Sequence, residues 1–394
     1  MAVAQGYGKT ITSGSVFAFD TGDTRNSYSG RPTVNVSAGL GLNNYNNVPG
    51  NVSTSITTTG GTYKGAAIYQ QAITPLDATG VSYLTNGNNP GIGVYHGGGG
   101  GTGGQYSGHT IFFKPVGPMY SSPIYTHYSN IGGWQSSTNY EDMGDGWFRA
   151  KVLWYNASTL SDQKFWAINP AGATANVPIT VYWAGPFKEN LNSTTISQFV
   201  EGTRSATQGL LPLVGNNTLD LSNVSFDSNA QMTFDGTDDY IPTSNSALIH
   251  GTSNWTYSAI LKFAGTPSLG TVFENGSWTS CLLIRFQTNG FAIYSMGSYW
   301  GFFNFVPTLG VWYSFDFIRN GNVVNFYVNG AFSQQFSFTA NVEPSSNLYI
   351  GMSQHAPGQC FNGNIPVAKI YNRALSAGEV RQNYLHYKTR FNLS

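Results

Sequence analysis

The chain has very little charge. Lysine plus arginine number 18 and aspartate plus glutamate 18 in 394 residues. Charged residues are thus 9% of the total, against roughly a quarter in an ordinary soluble chain. The net charge is zero, which argues against nucleic acid as a partner, because phosphate binding requires a basic stripe. Cysteine is almost absent: Cys281 and Cys360 are the two in the chain. They read as free, buried thiols, since an unpaired cysteine packs as a small apolar residue; a single disulfide is the alternative. No apolar run reaches the roughly 18 residues of a bilayer-spanning helix, so no membrane insertion is expected. The opening MAVAQGYGKT lacks a basic segment followed by an apolar run, so no secretory signal is expected there. The expectation is synthesis and folding in a cytoplasm, with the many Asn-x-Ser/Thr triplets as composition rather than glycosylation sites. Helical periodicity is nearly absent as well.

What is present is aromatic and polar without charge. Apolar residues are 40% and aromatics 15% of the chain, enough to build cores and unlike a disordered segment. The polar remainder is Asn, Ser, Thr, Gln and Gly, the composition of strands and tight turns. Such a surface suits neutral polar ligands such as sugars, or packing against other subunits. Short alternating runs separated by Gly, Asn, Asp and Pro predict an all-β sandwich or jelly roll. The clearest piece is VWYSFDFIRNGNVVNFYVNGAFSQQFSF, 311–338. Val311, Tyr313, Phe315 and Phe317 share one face, and Val324, Phe326 and Val328 continue it. Asn320-Gly321 and Asn329-Gly330 tolerate positive φ and predict two tight turns, giving a three-stranded meander. Further strands are expected at 109–116, 146–156, 162–168 and 179–187. One helix is predicted near the end, with Ser376 as N-cap, Glu379 completing a capping box, and Leu375 and Val380 as a hydrophobic staple.

A chain of 394 residues exceeds one ordinary core and implies two domains or three. The pattern weakens between 187 and about 220. The division expected is an N-terminal arm or anchor at 1–30, a first β-sandwich at 31–200, a surface connector at 201–220 and a second β-sandwich at 221–394. The glycine run from His96 to His109 has linker composition. Strand-like residues flank it on both sides, so it reads as a long loop inside one sandwich. It lacks the Lys-Ser/Thr that ends a phosphate-binding loop, and no helix pattern follows.

The second half resembles the concanavalin A-like, laminin-G-type jelly roll. The pieces that carry the resemblance are MTFDGTDDYI (232–241), NWTYSAILKF (254–263), VWYSFDFIRNGNVVNFYVNG (311–330), NLYIGMS (347–353) and FNGNIPVAKIYNRALSAGEV (361–380). This form of the domain is similar to that of structural proteins of tailed bacteriophages, marine ones especially. GSVFAFDTGDTRNSYSGRPTVN (14–35) and WAGPFKENLNSTTISQFVEGTRSA (183–206) resemble segments of the same virion proteins. The first sandwich resembles carbohydrate-binding-module jelly rolls, and only the fold is implied there. The resemblance implies a virion structural protein: a head fibre or decoration protein, or a tail or collar fibre. It implies other virion proteins as partners and a homo-oligomer, a trimer for a fibre. It also implies placement on the virion surface, with a host-surface glycan as a further ligand. The alternatives are a stand-alone lectin or adhesin and a glycan depolymerase.

No catalytic centre is expected. Glucanases of the superfamily carry a Glu-x-Asp-x-x-Glu strand that sets two carboxylates on one face. Here YEDMGDGW (140–147) comes nearest and suits a turn, while Glu274 stands alone in VFENGSW. No Gly-x-Ser-x-Gly or His-Glu-x-x-His is present. No cofactor is expected, although calcium is the one metal the resemblance allows. It would use either Asp235, Asp238 and Asp239 or Glu141, Asp142 and Asp145, both groups reading equally as turn-forming acids. His96, His109 and His127 have no metal-ligand spacing. For glycan contact the candidates are Trp134 and Tyr140 in the first domain, and Trp278, Tyr299 and Trp300 in the second. Each has core or subunit packing as its plainer role.

Overall fold

The computed structural model describes residues 9–34, 43–45, 52–64, 66–75, 93–97, 102–116, 119–128, 133–136, 140–156, 159, 163–170, 179–191, 196–197, 200, 203–227, 231–244, 248–249, 251–265, 269–276, 281–295, 297–343, 347–356 and 358–394. For 43–45, 52–54, 73–75, 93–97, 119–128, 133–136, 154, 163–170 and 179 it describes the backbone alone. The chain is nearly all β and divides into two compact units. One is Met1–Pro32 with Ser205–Ser394, and the other is Thr33–Arg204. The second unit is therefore inserted in sequence between the opening of the first unit and the rest of it.

In the inserted unit a six-stranded antiparallel sheet runs Tyr140–Gly144, Trp147–Tyr155, Tyr106–Val116, Ile179–Leu191, Ala66–Pro75, Val52–Tyr63. A five-stranded sheet runs Asn43–Tyr45, Gly93–Gly97, Gln163–Pro170, Met119–Tyr128, Gly133–Ser136. Thr33–Val34 pairs with Thr203–Arg204 and brings the two ends of the unit together. One face of the six-stranded sheet buries Ile111, Phe113, Ala150, Val181 and Trp183 completely. The indole of Trp183 donates to Gln71 Oε1 at 3.0 Å, so the buried ring keeps a partner for its N–H. The strands on either side of the glycine run, Gly93–Gly97 and Tyr106–Val116, belong to this one unit.

The other unit is a two-sheet sandwich. Its eight-stranded sheet runs Ser225–Phe226, Met232–Asp235, Asn362–Tyr371, Trp255–Phe263, Trp312–Asn320, Val323–Val328, Ala331–Ser337, with Ser15–Asp20 also paired to Asn362–Tyr371. Its six-stranded sheet runs Ile241–Pro242, Leu348–Ile350, Leu269–Asn275, Leu282–Gln287, Gly290–Ser295, Ser298–Asn304. Between them lies one aromatic-rich core that includes Phe263, Phe286, Phe291, Phe315, Phe317 and Phe326. The meander forms, with its first turn one residue later than expected: Asn320 pairs with Val323, so the turn is Gly321-Asn322, with Gly321 at φ 62°. Phe315, Phe317, Val324 and Phe326 point into the core, and Asn329 and Gly330 both take positive φ, 48° and 75°.

Two expected boundaries are corrected here. Ser15–Asp20 is not an arm. It pairs along Val367–Tyr371 and buries Phe17 and Phe19 completely, each side chain contributing about 1.5–3 kcal/mol through burial. A strand so placed is not available as an anchor to a neighbour. The 201–220 stretch is not a surface connector either: Leu210 and Leu219 are fully buried in the same core. Their apolar side chains are too widely spaced to show a period, yet each has a core position to fill.

The outer face of the eight-stranded sheet is closed by the helix Ala377–Phe391. Ser376 and Glu379 form the capping box, and Arg373 adds a paired contact to the Glu379 carboxylate. That guanidinium, with Ser376, brings the Glu379 carboxyl down to about 2. Val380, Tyr384, Tyr387 and Phe391 recur at helical spacing and cover Ile260, Val367, Ile318 and Tyr371. Beneath the helix lie buried charges. Ser258 donates to Asp316, Lys369 sits below the Tyr387 ring at 4.9 Å, and Arg390 pairs with Asp20. Burial raises the Asp316 carboxyl to about 6 and lowers the Lys369 ammonium to about 8.

Candidate functional site

The outer face of the six-stranded sheet has no helix over it. Leu282, Ile284 and Phe286 point into the core, so alternation sends Leu283, Arg285 and Gln287 outward. A register shift between Thr271 and Phe273 places Thr271 and Glu274 on that same outer side. Direct cross-strand pairs then form one row: Pro242 with Tyr349, Tyr349 with Glu274, Glu274 with Leu283, Leu283 with Tyr294, and Tyr294 with Tyr299. A second row runs Cys360, Thr271, Arg285, Ala292, Phe302.

Aromatic pairs stand at both ends of the first row. Tyr240 and Tyr349 lie with ring centroids 5.9 Å apart at one end, and Tyr294 and Tyr299 5.5 Å apart at the other. The strands carrying Tyr349 and Tyr294 are separated by three strand spacings, roughly 14 Å. Tyr299 is 55% exposed, whereas Tyr240, Tyr294 and Tyr349 are half-buried. Burial raises the Tyr349 phenol, with Tyr240 and Glu274 adding to it, so it stays a neutral donor.

Two polar groups sit between these pairs. Glu274 is fully buried. One of its oxygens meets His355 Nδ1, and the other accepts the Gln354 N–H at 3.1 Å. Burial raises its carboxyl, while Ser353 and His355 oppose that shift. Glu274 thus fastens the 353–355 segment to the sheet. Arg285, 7% exposed, donates to the amide oxygens of Gln359 at 2.5 Å and Gln287 at 3.1 Å. Its guanidinium stacks on Tyr294 at 4.6 Å.

The acidic turn 235–239 adjoins the end of the second row, where the Cys360 thiol donates to the Thr237 carbonyl at 3.1 Å. Among the described residues, Asp235, Asp238 and Asp239 are the acids whose ligand atoms converge, all within 4.8 Å. Their bonding is that of a turn. Asp239 is buried; one oxygen accepts from the Ser225 N–H and hydroxyl and the other from the Asp235 N–H at 2.7 Å. Asp235 Oδ1 accepts the N–H groups of Thr237 and Asp238, closing a turn that Gly236 completes at φ 83°. Burial raises the Asp239 carboxyl. Calcium requires about six to eight oxygen ligands. This turn offers two outward carboxylates, with Asp239 and the Thr237 carbonyl already engaged, so the residues do not fit a calcium cage.

The other expected site residues fall as follows. Glu141, Asp142 and Asp145 are not brought together. Glu141 pairs with Lys151 and Arg149, Asp142 accepts the Gly144 N–H, and Asp145 takes φ 53° at the tip of a hairpin. Tyr140 is exposed but packs edge-on to Phe113 and Phe148. Trp300 packs against Phe338 at 5.4 Å and belongs to the core rather than to a ligand face. Trp134 has its backbone in the strand Gly133–Ser136, and its side chain lies outside the described residues, as does Trp278 altogether. Tyr299 alone joins the row on the sheet. Its companions Tyr240, Tyr294, Tyr349, Arg285 and His355 carry no local motif. The alternation in LLIRFQ and NLYIG signals only that Arg285 and Tyr349 leave the core.

Cys281 and Cys360 are both buried and form no disulfide. Burial raises the Cys360 thiol further, and the nearby aspartates add to this.

No curated protein matches the chain. Among solved structures it is similar to the binding domain of botulinum neurotoxin serotype D, at 14% identity and TM-score 0.37, over 46% of this chain and 49% of that one. It is also similar to domain 4 of an extracellular arabinanase from Geobacillus stearothermophilus bound to arabinotriose, at 16% identity and TM-score 0.33, over 43% and 82% of the two chains. A third is a sialidase carbohydrate-binding module from Ruminococcus gnavus bound to sialyllactose, at 13% identity and TM-score 0.30, over 33% and 82%. The chain thus spans about half the length of the neurotoxin domain, 49%. Residues 235–381 match the family model described as the concanavalin A-like lectin/glucanases superfamily. The C-terminal part of this chain is therefore a concanavalin A-like, laminin-G-like domain.

Proposed function

We propose that this domain binds glycan chains on the outer face of its six-stranded sheet and performs no chemistry on them. The observation that carries this reading is the two aromatic ends, Tyr240 with Tyr349 and Tyr294 with Tyr299, set in one cross-strand row whose middle, Glu274 and Leu283, is buried. A sugar ring needs a flat apolar face beside directional hydrogen-bond groups, and tyrosine supplies both. The roughly 14 Å between the two aromatic ends suits an oligosaccharide rather than a single ring. Glycoside hydrolysis needs two facing carboxylates. Glu274 is the only carboxylate in the row, and both of its oxygens are bound by His355 and the Gln354 N–H.

Isothermal titration against a panel of neutral and acidic polysaccharides tests the reading. Binding is expected, weakened about tenfold or more by Tyr299→Ala and by Tyr349→Ala. Absence of binding across the panel contradicts it, as does binding indifferent to both substitutions. Release of reducing ends from a bound polysaccharide would make the protein a depolymerase instead.

The setting we propose is the surface of a tailed-phage particle, as a head, tail or collar appendage assembled from identical chains. The resemblance of 14–35 and 183–206 to virion proteins supports it, as does the uncharged Asn/Ser/Thr/Gly composition. A trimer in light scattering and the chain's presence in the protein inventory of purified particles are expected. Particles that lack the chain would overturn this setting and leave glycan binding intact.

A further inference from the structure

Among the described residues, Arg285 is a buried cation without a counter-charge. Every aspartate and glutamate of its unit lies among the described residues, and none forms an ion pair with it. Two of its five N–H donors go to neutral amide oxygens, of Gln287 and Gln359, and Nε is buried with no partner. The contrast within the same unit is instructive. Arg319 is also fully buried without a carboxylate, and its Nη2 too lacks a partner, but three backbone carbonyls, of Gly321, Gly251 and Ala340, hold it in place. Carbonyls of the main chain cannot leave. The holders of Arg285 are side chains that can rotate away, and Gln359 lies in the 358–361 segment beside the aromatic row.

We propose that Arg285 is the anion subsite of the glycan face and that its ligand is the carboxylate of an acidic sugar. The Gln359 amide oxygen stands where a carboxylate oxygen of the ligand would bind. A planar guanidinium matches a planar carboxylate through two parallel hydrogen bonds, and such charge-assisted bonds strengthen when buried. Tyr294 fixes the plane of the guanidinium from one side, and Tyr299, edge-on to Tyr294, offers the neighbouring surface to the sugar ring. The specificity this gives is for chains of uronic or sialic type over their neutral counterparts. The proposal rests on the glycan-binding reading of the same face.

The test uses the full chain and matched polymers: polygalacturonate, alginate and hyaluronate, each against its carboxyl-reduced form, with dextran sulfate against dextran. At least one acidic polymer is expected to bind about tenfold to hundredfold more tightly than its reduced partner. Arg285→Gln removes that preference while the reduced polymer still binds. Gln359→Glu places an internal carboxylate on Arg285; it is expected to raise Tm by roughly 2–5 °C and to abolish the preference. Equal binding within every pair, or a preference that survives Arg285→Gln, overturns the subsite and leaves glycan binding standing. An unchanged or lower Tm in Gln359→Glu also counts against it. Preference for dextran sulfate alone reassigns the ligand to sulfate esters. Binding of no polymer removes the subsite and the glycan reading together.

Discussion

The two outer faces of the C-terminal sandwich treat their polar groups in opposite ways. On the eight-stranded sheet, Asp316, Lys369 and Asp20 lie under the helix with opposite charges close by: Lys369 acts on Asp316, Asp20 and Asp316 act on Lys369, and Arg390 pairs with Asp20, although one Asp316 oxygen has no hydrogen bond. On the six-stranded sheet, Arg285 is almost as buried yet meets two neutral amides and the half-buried Tyr294 ring, with the exposed Tyr299 next to that ring. Desolvated charges are tolerated where the fold itself supplies the opposite sign, and buried polar groups are expected to be fully satisfied. On the proposed reading, a face that leaves a cation without a counter-ion among the described residues, near the exposed Tyr299, is arranged for a ligand. A face that closes over its charges is arranged for stability.

That contrast can be broken at graded cost. Tyr387→Ala removes a large ring from the helix and uncovers Lys369; it should destabilise by about 3 kcal/mol or more, read as a shift in the denaturation midpoint. Tyr299→Ala, on the other face, should change stability by no more than about 0.5 kcal/mol while weakening glycan binding. Equal losses of stability would erase the distinction.

The sealed charges also give the protein a pH signature. The folded Asp316 carboxyl lies near 6, above its ordinary value of 3.8. The folded state therefore holds this proton more tightly, and stability falls as pH rises from about 4 to about 6, by roughly 1–3 kcal/mol. Lys369 acts in the reverse sense: its folded value near 8 lies below 10.5. Stability that is missing below pH 8 returns as pH climbs toward 10.5. Asp316→Asn should abolish the fall between pH 4 and 6; an unaltered slope in urea titrations would place its origin elsewhere.

A smaller effect is expected at the helix cap. The Glu379 carboxyl is held near 2, below 4.5, by Arg373. Its contribution is present above pH 4.5 and lost as pH falls through 2. Glu379→Gln should cost about 1 kcal/mol at neutral pH and little at pH 2. The smallest expected effect is at the acidic turn. Calcium or a chelator should leave Tm unchanged, because Asp239 and Asp235 already serve the backbone. A calcium-dependent rise abolished by Asp238→Ala would restore a metal to that turn.

Local grammar made the meander legible: strict alternation from Tyr313 to Val328 and Asn-Gly turns need no information from elsewhere. The capping box of the helix is equally local. The seat of Ser15–Asp20 was not, because Phe17 and Phe19 reach their core only by pairing with a strand near the far end of the chain. The row proposed to bind glycan depends on register across five strands and on a bulge at Val272 that no short motif announces. Tyr299 could be picked as an aromatic in a polar context, but Trp300 beside it looked identical. A register shift at Ile293/Tyr294 separates their roles.

Hydroxyl-radical footprinting with and without the tightest-binding polysaccharide tests the contrast between the faces most directly. Tyr299 on the six-stranded sheet and Phe332 on the eight-stranded sheet are both 55% exposed, so each is the other's control. Protection of Tyr299 and Tyr349 with Phe332 unchanged is the predicted result. Protection of Phe332 with Tyr299 still fully oxidised would contradict it.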